Sequence, residues 1–124
     1  MEGLRLLTAR SDGDTLFAVL PQRELIGEEY REGLAHDFSR LSQSEVAAIR
    51  LDLQAVEFID GAFMGLLLRL VRSLLARGER LTVVASDHLR EVLQITRFDR
   101  LFEVIPAVPL EAAASPGRGA PSAS

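Results

Sequence analysis

From Ile49 to Leu70 the chain reads as an apolar strand that passes through a short junction, Asp60-Gly61-Ala62, straight into a long apolar helix. No other feature restricts the fold as much. A buried strand followed at once by a sheet-packing helix is half of a strand–helix–strand unit, and repeated units of that kind build α/β sheets. The junction reads as a site by its position. Yet Gly61 and Ala62 offer no nucleophile, no transferable proton and no hydroxyl for a phosphate. The pair therefore indicates a recognition surface and argues against an enzyme.

The flanking segments supply the rest of the pattern. Leu4 to Ala9 and Thr15 to Leu20 are short β-favouring runs, and Ser11-Asp-Gly-Asp14 between them suits a hairpin turn because Gly13 tolerates positive φ. Pro21 ends the second run, since it lacks an amide hydrogen. Between Glu24 and Leu41 the residues Ile26, Tyr30, Leu34, Phe38 and Leu41 recur with the period of an amphipathic helix, and Glu28 and Glu29 near its start suit the helix dipole. Val46 to Leu53 is predicted as a largely buried strand.

On a helical wheel the segment after Asp60 places Phe63, Met64, Leu66, Leu67, Leu68, Leu70, Val71, Leu74 and Leu75 on one broad apolar arc. Gly61, Ala62, Gly65, Arg69 and Arg72 fall outside it. Gly78 is placed to stop this helix, and Leu81 to Ala85 follows as a strand. Ser86 or Asp87 can cap a further helix with Leu89, Val92, Leu93 and Thr96 on one face, before a last strand from Leu101 to Ile105. The order β-β-α-β-α-β-α-β predicts an α/β fold: a mixed sheet with an N-terminal hairpin and helices packed on the sheet. Residues 1–110 are expected to form the domain. Residues 111–124, rich in Ala, Pro, Ser and Gly, are expected to be a disordered tail.

A chain of 124 residues with a formal net charge of −4 suits one domain and lacks the basic excess on which sequence-independent nucleic-acid binding depends. With no Cys, thiolate metal sites, disulfides and cysteine nucleophiles are excluded. The first residues lack a signal-peptide layout, and the longest uncharged apolar run falls far short of the roughly 20 residues that span a bilayer. A cytoplasmic protein without membrane insertion is the expectation.

The segment Leu51-Asp-Leu-Gln-Ala-Val-Glu-Phe-Ile-Asp60, with Gly61-Ala-Phe-Met-Gly65 and the Leu-rich helix to Gly78, resembles the core signature of STAS domains, the family of bacterial anti-sigma factor antagonists. That family's usual Asp-Ser-Ser-Gly-Leu-Gly is matched at Asp60 and Gly65. Gly61 stands at the position that an anti-sigma factor kinase phosphorylates, Ala62 at the second Ser, Phe63 at the first Gly and Met64 at the Leu. The likeness extends from Leu4 to Pro106.

What the resemblance implies is a non-enzymatic signalling module acting in transcription regulation. Its protein partner would be an anti-sigma factor of the serine-kinase type, with Asp60 in the partner-facing patch; the helical wheel adds Gly61, Ala62, Gly65, Arg69 and Arg72, which it leaves outside the apolar arc, to the expected binding surface. No phosphorylation is expected at the family position, and no cofactor. Two alternatives accompany it: a STAS subunit of a lipid-transport ATP-binding cassette complex, and a small-molecule or nucleotide sensor.

Each candidate has a plainer role beside it. Asp60 directly before a helix is well placed as an N-cap. The small residues after it could reflect a tight turn with a close neighbour. Phe63 and Met64 read as core. His36 with Glu32, and His88 with Glu91, lack a third ligand, so no metal site is expected. Asp52 suits a structural role at the strand's end, and Ser39, Ser42, Ser44, Ser73 and Ser86 suit caps and loops more than modification sites.

Overall fold

The computed structural model describes residues 3–107, so the expected tail at 111–124 lies outside the described residues. Among them the order is β1 (Thr8–Asp12), β2 (Thr15–Val19), β3 (Glu24–Leu25), α1 (Arg31–Ser42), β4 (Ala48–Leu53), β5 (Phe58–Ile59), α2 (Gly61–Ala76), β6 (Arg80–Ala85), α3 (Asp87–Ile95), a 3-10 turn (Phe98–Arg100) and β7 (Glu103–Pro106). The main sheet has the order β1-β2-β4-β6-β7, and β3 pairs separately with β5. Among the described residues only β1 and β2 pair antiparallel, and the other pairings are parallel. The α/β class and the mixed sheet with its opening hairpin are as the sequence predicts.

The crossovers from β2 to β4, β4 to β6 and β6 to β7 all step the same way, so right-handed connections place the three helices on one face. Alternation along β4 agrees: Ile49, Leu51 and Leu53 are buried, while Ala48, Arg50 and Asp52 on the other face are half-buried. The core lies between that face and Leu34, Phe38 and Leu41 of α1, Phe63, Leu67, Leu70, Val71 and Leu74 of α2, and Leu89 and Leu93 of α3.

The first strand begins later than its β-favouring residues suggest. The amides of Arg5, Leu6 and Leu7 donate to the carboxylate of Asp37 at 2.8, 2.7 and 2.8 Å, so they cannot serve a ladder. Asp37 is fully buried. The hairpin turn is tighter than expected, with Asp12 opposite Thr15 and Gly13 at φ 62°.

The helix predicted from Glu24 begins instead at Arg31. Glu24 and Leu25 are used by β3, and Gly27 turns the chain at φ 84°. Ile26, expected on the buried helix face, is 52% exposed. Glu28 and Glu29 precede the helix, and Glu32 is the acidic residue of its first turn.

The wheel of α2 is narrower than drawn. Phe63 is fully buried, Met64, Leu66 and Leu68 are half-buried, and Leu75 is exposed. Gly78 ends the helix as predicted, at φ 75°. Its amide donates to Leu75 O at 3.1 Å and that of Glu79 to Leu74 O at 2.9 Å, the paired bonds of a Schellman stop. Ser86 caps α3, accepting from the Leu89 amide. The last strand starts at Glu103, because Arg97 at φ 67° opens a 3-10 turn that uses Phe98–Arg100.

Candidate functional site

Asp60 stands where β5 ends and α2 begins, in extended backbone, and caps the helix by accepting from the Phe63 amide at 3.1 Å. Its carboxylate does more than cap. The same Oδ1 accepts the hydroxyl of Tyr30, while Oδ2 accepts the Gly27 amide at 3.1 Å and pairs with Arg31 at 3.5 Å. One carboxylate thus ties the loop before α1 to the start of α2. The Tyr30 hydroxyl, and then the Phe63 and Gly27 amides and the Arg31 charge, hold Asp60 below its ordinary pKa, although partial burial works the other way. Burial, followed by the adjoining carboxylate, pushes the Tyr30 phenol up to about 12.

Nothing in the sequence signalled that Gly27, Tyr30 and Arg31 would meet Asp60. Tyr30 fitted a helix face, and the partners lie some thirty residues apart in the chain.

The remaining candidates follow along the outer side of α2. Gly61, Gly65, Arg69 and Arg72 are exposed and Ala62 is half-buried. At a helical rise of 1.5 Å per residue, Gly61 and Arg72 are about 16 Å apart. Among the described residues, a side-chain carbon built at Gly61 or Gly65 would meet nothing within 4 Å, and neither glycine has positive φ. A close neighbour is therefore not the reason for these small residues. Arg69 and Arg72 have no ion pair among the described residues, whereas Arg77 bonds the carbonyls of Ser42 and Ser44 and pairs with Glu79 at 3.0 Å.

The other sequence candidates scatter. His36 donates to the Gly3 carbonyl at 2.8 Å, and His88 borders a groove beside Asp60. Asp52 accepts from the backbone and side-chain amides of Gln54 at 2.9 and 3.1 Å. Ser39, Ser42 and Ser73 line a cleft between α1 and α2, and Ser44 donates to Leu41 O. Among the described residues, no three His, Asp or Glu side chains gather as metal ligands, and no helix is long and apolar enough to cross a membrane.

A family model described as "Mlab, STAS domain" matches residues 31–106, more than half of the chain. The chain belongs to the STAS domain family. This STAS domain resembles the anti-sigma factor antagonist of Mycobacterium paratuberculosis with a TM-score of 0.69 at 19% identity, over 86% of this chain and 88% of that one. It is similar to the STAS domain protein of Planctomyces limnophilus with a TM-score of 0.70 at 21% identity, over 82% and 89% of the two chains. The phosphorylated form of the Bacillus cell fate determinant SpoIIAA matches with a TM-score of 0.63 at 23% identity, over 86% and 96%. No curated protein matches the chain. The STAS fold is thus shared with structures of anti-sigma factor antagonists.

Proposed function

We propose that this STAS domain works by non-enzymatic capture of a protein partner over the start of α2, in the manner of an anti-sigma factor antagonist that lacks the phosphoswitch. The observation that carries this reading is the open space above Gly61 and Gly65. The fold does not require either residue to be small, which leaves a bare helix surface bordered by Asp60 and running toward Arg69 and Arg72. With Gly61 at the family's Ser position, binding follows concentration and is not released by phosphate there. The partner proposed is an anti-sigma factor of the serine-kinase type.

The experiment compares wild type and Gly61→Glu for melting temperature and for affinity toward an anti-sigma factor kinase from the same genome. The added carboxylate fits sterically and lies near the positive end of the helix dipole, so folding should survive. Affinity should fall at least tenfold, and the kinase with ATP should add no phosphate to wild type between Asp60 and Ser73. A folded variant with undiminished affinity refutes this surface. Binding instead to a transport ATPase selects the transporter-subunit reading.

A further inference from the structure

Beside the start of α2 runs an apolar groove of about 530 Å³, within the size range of ordinary binding clefts. Ile26, directly after β3, and Phe58 of β5 line it with Met64 of α2 and Val92 of α3. Ile26 is 52% and Phe58 45% exposed, an unusual use of large apolar residues in two adjoining segments.

Charge selects what can cover this groove. Among the described residues its ionisable lining is Glu24, Asp60 and His88, with no Arg. The cations nearby are already engaged: Arg31 pairs with Asp60, and Arg23 pairs with Glu57 at 3.3 Å while lying over the Phe58 ring. Glu24 has no ion pair or side-chain hydrogen bond among the described residues, nor have Glu28 and Glu29 on the adjoining loop. The rim is therefore negative, and it repels nucleic acid and anionic lipid surfaces alike.

We infer that the groove seats a basic amphipathic helix of the partner protein, its apolar residues against Ile26, Phe58, Met64 and Val92, and a Lys or Arg beside Glu24. This inference rests on the partner-capture reading and adds to it a contact surface and a charge sign. Helix-in-groove recognition needs anchors at i, i+3 and i+4 on one face, and the apolar side chains of Ile26, Phe58, Met64 and Val92 that line the groove give such a row its contacts.

The test uses the full chain and two synthetic helical peptides with identical leucine anchors, one flanked by Lys and one by Glu, followed by NMR. The Lys peptide should shift the resonances of Ile26, Phe58, Met64 and Val92, and the Glu peptide should bind at least tenfold more weakly. Ile26→Glu should abolish the shifts while leaving the melting temperature unchanged, and Glu24→Lys should reverse the peptide preference. Equal binding of both peptides, shifts confined to other surfaces, or no shifts at all would overturn the inference. With the kinase as ligand, loss of affinity in Gly61→Glu but not in Ile26→Glu would overturn the groove and leave the α2 surface standing; retention in both would overturn both.

Discussion

Replacing Asp37 with Ala tests whether a single buried carboxylate holds the amino-terminal segment on the domain. Three backbone amides lose their acceptor. That of Leu7 is buried, and those of Arg5 and Leu6 are part-buried, within reach of water. Leaving a buried donor unsatisfied costs about 1–3 kcal/mol, and each amide that water can rescue loses about 0.5–1.5 kcal/mol of net bond. The sum is centred near 4 kcal/mol, with about 3 kcal/mol as a cautious value. In a domain of this size each kcal/mol moves the melting temperature by roughly 4–8 °C, so the variant should melt at least about 12 °C lower. Asp37→Asn keeps the size and one acceptor oxygen but aims an NH2 at an amide, and should lose about half as much. The assay is thermal unfolding by circular dichroism, with hydrogen exchange at the Leu7 amide as the local readout. A drop of less than about 4 °C with Leu7 still protected would show that strand and helix packing, not Asp37, holds this segment.

Three further outcomes are expected. Gly65→Ala fills open space on an exposed helix and should stabilise the fold by about 0.5–1 kcal/mol in denaturant titration, while weakening partner binding if the partner lies against that surface. Tyr30 is the only tyrosine, so phenolate absorbance reads it alone; it should titrate near 12 in the folded protein. Because that pKa is raised above the ordinary value of 10.0, its stabilising contribution is complete below pH 10 and is lost as pH rises toward 12, a limb that Tyr30→Phe should remove. Asp60 shows the opposite sign: its depressed pKa makes its contribution complete above the ordinary value of 3.8 and lost as pH falls below it, so Asp60→Asn should flatten the acid limb of melting temperature against pH.

The features legible in the sequence are those set by short-range chemistry. Asp60 caps α2 through an amide three residues on, Ser86 does the same for α3, and Gly78 stops α2 through a positive φ that costs a glycine little. Alternation in β4 and the apolar side of α2 likewise follow from one element's own period, and together they specified the α/β order and the outer position of Gly61, Gly65, Arg69 and Arg72. The tertiary structure decided whatever depends on a partner some thirty residues away. Leu4 to Leu7 look like a strand until Asp37 takes three of their amides. Ile26 to Tyr30 look like a helix turn, because a spacing of four cannot distinguish a buried helix face from a loop whose Tyr30 reaches Asp60. Only the pairing of Glu24–Leu25 with Phe58–Ile59 places Ile26 and Phe58 on one exposed wall. A pattern within one segment reports its average environment. Which particular acceptor or wall it meets is settled by long-range hydrogen bonds that no local period encodes.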